Sequence, residues 1–292
     1  MAKENFVFLH GQVFDRPRVF VNAEGVAKKA SFAVKVLRRP TSKGEGYVTT
    51  GKLSLDVPVI MTMDESLIRV CSTLRKGDMV DIRGVYTTRE VKKKSVCKNG
   101  HENVWAGNFV FVTPIYISRR ETELSDEEGM KLLRERAEVS NLVMMIGTLC
   151  REPELREFEN NGRKSSVCQY QLASNRRYHI RDGMHEHERT DYPWIKTAGR
   201  QALEDMQRLH TGSVVFINGA IQTREIERSI TCPECGESHV IKESVCEVFP
   251  YAVEYLVNCE FSTQEDGAGD NAGNQNGDTS AEIVAENSSE GV

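Results

Sequence analysis

The chain contains itself. Residues 56–97 align without a gap on residues 191–232, and 13 of the 42 positions are identical, among them Asp56 and Asp191, Pro58 and Pro193, Gly84 and Gly219, Thr88 and Thr223, and Cys97 and Cys232. Upstream, Asn5-Phe-Val-Phe-Leu-His-Gly lies on Asn141-Leu-Val-Met-Met-Ile-Gly, which pairs Gly11 with Gly147, and further on Pro17 pairs with Pro153. Each unit runs to about 118 residues, far beyond the length of a solenoid repeat, so the pattern is one domain duplicated. Any fold for this chain must be one that can be built twice. The 292 residues are 39% apolar, enough for two cores.

Each copy reads strand, strand, strand, helix, strand, strand. The first strand alternates apolar residues around a Gly; the second covers Ser31–Leu37 or Gln169–Ser174, the third Gly51–Met61 or Asp191–Thr197. A short helix is expected over Asp64–Leu74 or Arg200–Leu209, then strands over Met79–Thr87 or Val214–Gln222 and over Asn108–Ile117 or Ser244–Val257. Five strands with a helix between the third and fourth is the order of a five-stranded Greek-key OB barrel. The predicted class is therefore all-β, two tandem OB-fold barrels: residues 1–118, then a charged helical linker at 119–140, then residues 141–259. Ser125, with Glu128 three positions later, marks the linker helix start. Residues 260–292 carry eight carboxylates and no Lys or Arg, and are expected to form a disordered acidic tail.

The net charge of −5 hides an asymmetry, because residues 1–118 hold 19 Lys and Arg against 11 Asp and Glu. A polyanionic ligand is thus compatible with an acidic chain. No apolar run approaches the roughly 18 residues of a spanning helix, and the N-terminus enters a strand pattern without the layout of a secretory signal. A cytoplasmic protein with no membrane association is the simplest expectation.

Asn141–Arg156, Tyr170–Arg177 and Gly212–Arg224 resemble the opening, second and fourth strands of the bacterial single-stranded DNA-binding protein family. Gly77–Arg89 is the best-matching stretch of the first copy. The resemblance implies an OB fold that binds single-stranded DNA with little sequence preference in replication, recombination or repair. It also implies a homodimer with four OB domains, and an acidic tail that recruits replication or repair proteins. The chain ends Asn287-Ser-Ser-Glu-Gly-Val292, unlike the family's aspartate-rich hydrophobic tip, and its Cys-containing hairpins also depart from the family pattern.

The residues make a parallel case. Sequence-independent binding of single strands needs a basic groove and flat side chains on which bases stack. Strand alternation places Tyr192, Trp194 and Lys196 on one face, whereas the matching face of the first copy is Val57, Val59 and Met61. The first copy offers charge instead: Arg38, Arg39 and Lys43 after its second strand, and Lys92, Lys93, Lys94 and Lys98 after its fourth. The second copy has Arg176, Arg177, Tyr178, Arg181 and Arg189 in the corresponding loop. The bland alternatives are core packing for Trp194 and solvated surface for the charges.

Both copies carry a Cys-His insertion in their last hairpin. The first reads Ser-Val-Cys97-Lys-Asn-Gly-His101, the second Thr-Cys232-Pro-Glu-Cys235-Gly-Glu-Ser-His239. The Cys-Pro-Glu-Cys-Gly turn has the form of a zinc knuckle, which supplies two thiolates of the four ligands a structural Zn2+ takes. Two ligand sets stay open: an inter-repeat set of Cys97, His101, Cys232 and Cys235, and a local one using His239. A metal-free cysteine pair and a redox pair are the alternatives. Catalysis is not expected, since His185-Glu-His-Glu-Arg189 breaks the zinc-protease pattern and Thr231 stands where a deaminase has Pro. The rival functions are an OB adaptor for protein partners and single-stranded RNA binding, because stacking is blind to the 2′-OH.

Overall fold

The computed structural model describes residues 3–39, 53–160, 163–178, 180 and 190–260. The first repeat supplies β1 (Asn5–Val13), β2 (Arg18–Val21), β3 (Ala27–Arg38), β4 (Ser54–Asp56), β5 (Val59–Thr62), α1 (Glu65–Thr73), β6 (Met79–Val96) and β7 (Glu102–Glu121). After α2 (Asp126–Glu135) the second repeat supplies β8 (Asn141–Leu149), β9 (Glu154–Asn160), β10 (Arg163–Asn175), β11 (Thr190–Asp191), β12 (Trp194–Ala198), α3 (Arg200–Arg208), β13 (Val214–Thr231) and β14 (Ser238–Val257). No helix among the described residues is long and apolar enough to cross a membrane. Lys43, Arg181, Arg189, the His185–Glu188 run and residues 261–292 lie outside the described residues.

The expectation of two five-stranded OB barrels is corrected. All fourteen strands belong to one hydrogen-bonded network. In each repeat five of them follow one another as a ring, β1–β6–β7–β5–β3 and β8–β13–β14–β12–β10, but the ring does not close into a barrel. Strand β5 meets β7 at one parallel pair, Ile60 with Val112, and β12 meets β14 at one, Ile195 with Val248. Strand β1 pairs with β3 only at Gln12 and Val13. The reason is competition for edges. Strand β6 takes one edge of β1 from Val7 to Gln12, and β8 takes Asn5–Leu9 on the other, leaving β3 the last two residues.

The β1–β8 ladder is antiparallel and self-matched: Val7 opposes Val143, its counterpart in the duplication, so a local two-fold axis passes between them. The same symmetry governs the side chains. Asn5 bonds the backbone of Tyr86 at 2.8 and 2.9 Å, as Asn141 does that of Ile221 at 2.9 and 2.8 Å. Asp191 accepts the Thr88 backbone N–H across the axis at 2.8 Å, while Asp56 accepts that of Thr223 at 2.7 Å. Arg176 clamps Asp191 at 2.5 and 2.8 Å, and Arg38 reaches Asp56 at 3.1 Å. Burial raises the Asp56 carboxyl above its ordinary range, against the pull of Arg38 and the Thr223 donors. Apolar residues of both repeats, including Val7, Leu9, Tyr86, Val143, Met145 and Tyr170, form one contiguous core.

Asp64 caps α1 through the backbone N–H groups of Ser66 and Leu67, and α2 opens with the expected capping box of Ser125 and Glu128. Helix α2 packs on the first repeat: Gly129 lies against the Gln12 side chain, and Leu133 is buried with Leu37 and Met79. Strands β6, β7 and β13 are about twice their expected length, and β14 starts six residues earlier than expected, because both Cys-containing insertions continue the ladder to the tips of two hairpin arms. The bulges at Gly84 and Gly219 share a cause: a Cβ there would sit 2.4 Å from the carbonyl oxygen of Thr113 or Phe249.

Arg176 and Asp191 are both almost wholly buried, so removing one partner strands the other charge. Asp191→Ala is expected to lower the unfolding free energy by about 3–5 kcal/mol, read from urea denaturation. A loss under about 1 kcal/mol would be the size of an exposed pair and would contradict this burial.

Candidate metal centre and nucleic-acid interface

The two arms run side by side. Lys93 of the first pairs with Glu243 of the second, Ser95 Oγ lies 2.9 Å from His239 Nε2, and Lys98 Nζ is 3.7 Å from Glu237. The Lys93 stem reaches across because it lies over Gly107, where a Cβ would stand 2.7 Å from its methylenes. Burial works against the charge on Glu243, but Lys93 and Arg228 outweigh it and hold the carboxyl below its ordinary value.

At the tips the turns bring four donors together. Gly100 donates to Cys97 O at 3.0 Å and Gly236 to Cys232 O at 2.9 Å, each glycine with a positive φ (85° and 70°) that other residues rarely adopt. The ligand atoms of Cys97, His101, Cys232 and Cys235 all lie within 4.8 Å of one another, with Cys97 and Cys232 buried. This is the inter-repeat set, a donor group of the kind that closed structural zinc sites use. His239 stands apart, engaged with Ser95. Hydrogen bonds from the Glu237 backbone, the Asn99 side chain and His101 push the Cys235 thiol down to about 6. Burial instead raises Cys97, and pushes Cys71, Cys168 and Cys246 up to about 12.

Below the tips, the arms and β12 enclose a cleft of about 770 Å3, lined by Val59, Lys93 and Phe109 from the first repeat and Arg156, Trp194 and Arg224 from the second. Ile195 and Thr197 point into the core, which turns Trp194 and Lys196 outward as alternation requires. The Arg151 guanidinium lies over the Trp194 ring, 5.1 Å from its centroid, and Tyr192 is 47% exposed. Lys196 is 4.0 Å from Glu247; burial lowers its ammonium below the ordinary lysine value, against the pull of that carboxylate.

The other basic residues are dispersed. Arg38 and Arg39 lie over Phe249 and Tyr251 of the second repeat, at 5.2 and 4.1 Å. Arg176 is buried on Asp191, whereas Arg177 is exposed, 3.7 Å from Glu4 and 5.8 Å from the Tyr178 ring. Lys92 and Lys94 face solvent, Lys94 with Glu102 at 2.8 Å. Phe109, Arg151, Arg156 and Arg224 were not singled out in the sequence. The one available signal was Phe109, which alternates with Phe111 in a strand pattern and stands 37% exposed, its ring 5.4 Å from that of Phe111.

Residues 140–243 match the Single-strand binding protein family. Single-stranded DNA-binding protein 2 of Clostridium acetobutylicum is 31% identical over 87 residues, 30% of this chain and 61% of the relative. The single-stranded DNA-binding protein of Neisseria meningitidis is 32% identical over 87 residues, 30% of this chain and 48% of the relative. The match therefore spans less than two thirds of these relatives' own length. A solved structure of a deletion mutant of the single-stranded DNA binding protein from Thermus aquaticus superposes with a TM-score of 0.56 at 18% identity, covering 91% of this chain and 100% of that one. The second repeat is thus related in sequence to bacterial single-stranded DNA-binding proteins, and the Thermus protein shares the fold across both repeats.

In metal-free protein at pH 7, Cys235 is expected to be the first thiol alkylated by iodoacetamide and Cys71, Cys168 and Cys246 the last, because the thiolate is the nucleophile. Peptide mapping across pH should place the Cys235 midpoint about 6. A midpoint near that of an ordinary cysteine, about 8.5, would contradict the hydrogen bonding at the tip.

Proposed function

We propose that this protein binds single-stranded DNA with little sequence preference and organises it during replication, recombination or repair. The observation that carries this reading is the outward-facing Trp194, bracketed by Arg151, on a cleft whose walls come from both repeats. A flat ring stacks on any base, and the surrounding cations follow a phosphate backbone without reading sequence. The sequence relationship of residues 140–243 supports the same reading. Within it, Tyr192, Trp194 and Lys196 hold bases, while Arg177, Tyr178, Lys92 and Lys94 meet the backbone. The repeats act as two folding units joined by residues 119–140, two chains associate to give four copies of the repeat, and the acidic tail meets partner proteins.

On the first repeat's side of the cleft, Val57 and Val59 stand at the positions that match Tyr192 and Trp194 and cannot stack on bases, so stacking falls to the second repeat.

Titration with poly(dT), duplex DNA and single-stranded RNA tests the proposal; tighter binding to poly(dT) than to duplex DNA is expected, and tighter binding to RNA than to poly(dT), or tight binding to none of the three, would overturn it. Trp194→Ala is expected to cost about 1–3 kcal/mol of poly(dT) affinity with little change in salt dependence. Replacing Lys92, Lys93 and Lys94 by Ala should flatten the plot of log K against log[salt] by at most about 0.7 per lost phosphate contact. Removal of residues 261–292 takes away seven of the tail's eight carboxylates, and is expected to leave poly(dT) binding equal or tighter at low salt, with the difference fading as salt rises.

A further inference from the structure

We propose that the chain binds one Zn2+ through Cys97 Sγ, His101 Nδ1, Cys232 Sγ and Cys235 Sγ, and that this ion clasps the two repeats together at the tips of their arms. Three separations between the donors are those of a filled tetrahedron, and all four donors lie within 4.8 Å of one another. Zinc–sulfur bonds of about 2.3 Å and a zinc–nitrogen bond of about 2.05 Å place two sulfurs about 3.8 Å apart, and a sulfur and a nitrogen about 3.6 Å apart. Cys97 Sγ and Cys235 Sγ are 3.8 Å apart, and His101 Nδ1 stands 3.6 Å from Cys97 Sγ and 3.7 Å from Cys232 Sγ. Cys97 and Cys235 are free thiols at that distance, not a disulfide, whose sulfurs lie at about 2.05 Å. Three thiolates and an imidazole suit zinc rather than a hard cation such as Ca2+ or Mg2+, and four protein donors leave no open position, so the site is structural.

Core packing does not account for the convergence. Neither apolar cluster of the protein includes any of these three cysteines, and the turns around them are polar, with Lys98, Asn99, Glu234 and Glu237. The histidine also has the outer partner that zinc-binding imidazoles use: its other ring nitrogen, Nε2, faces Glu234 Oε2 at 3.6 Å. Two donors come from each repeat, so neither hairpin completes the site alone. At the tips themselves the remaining bridge is the surface pair of Lys98 with Glu237, which contributes little by itself; Ser95 with His239 and Lys93 with Glu243 lie further down the arms. The ion is therefore what fixes the tip of one arm against that of the other.

The test is elemental analysis of the full-length chain, purified without added metal and then equilibrated with Zn2+ and desalted. About one zinc per chain is expected, falling below about 0.2 in Cys97→Ser and in His101→Ala, and retained in His101→Cys and in the control Cys150→Ser. Circular dichroism should show folded protein throughout, because none of the altered residues belongs to the apolar core. Hydrogen exchange should rise in both hairpins of Cys97→Ser, although only one is altered. A wild type with less than about 0.2 zinc per chain would overturn the proposal. So would a Cys97→Ser protein that keeps its zinc and loses it on further change of His239→Ala, which would place the ion within the second arm. None of these readouts depends on whether the protein binds DNA.

Discussion

Two buried carboxylates hold the arrangement on which everything else rests. Asp56 and Asp191 occupy matching positions in the duplication, and each accepts a backbone N–H from the opposite repeat while facing an arginine of its own. A buried charge is tolerated only when its partners are in place, so this exchange admits one relative placement of the repeats. The β1–β8 ladder fixes the same placement through main-chain bonds. With both satisfied, the two arms leave the core side by side, and the cleft between them is a consequence of where the carboxylates sit.

The edge competition at β1 explains why a pattern that belongs to a closed barrel yields an open ring. A strand has two edges, and those of β1 are spent on β6 and on the other repeat. Joining the two halves into one sheet costs each of them its closure. The short pairings of β1 with β3 at Gln12 and Val13, and of β8 with β10 at Gly147, Thr148 and Leu149, are what remains of it.

Much of this was legible in the sequence, and the failures have physical causes. The duplication, the helix positions and the capping box at Ser125 are local signals, and local signals survive without tertiary context. The ligand set at Cys97, His101, Cys232 and Cys235 was also within reach, because insertions at matching places in a duplicated domain must emerge from matching places in the fold. Edge pairing was not legible, since alternation reports which face of a strand is buried and says nothing of its neighbour. Arg176 was misleading for a related reason: in the run Asn175-Arg-Arg-Tyr it reads as surface, and only the placement of Asp191 buries it. The cleft residues Arg151, Arg156 and Arg224 come from three strands and loops distant in sequence, so no window of the chain contains their arrangement.

The hairpin turns differ in length, five residues between β6 and β7 and six between β13 and β14. That difference of one carries a consequence for the donor set. Two identical subunits meeting at a two-fold axis can offer a metal on that axis only even numbers of each kind of donor. Three sulfurs and one nitrogen is an odd set. It is accessible only to two copies that differ, as the repeats of this one polypeptide do, the first carrying Cys97 with His101 and the second Cys232 with Cys235. The two repeats share a two-fold axis at β1 and β8 but not at the tips, where the difference between their sequences is a difference in chemistry.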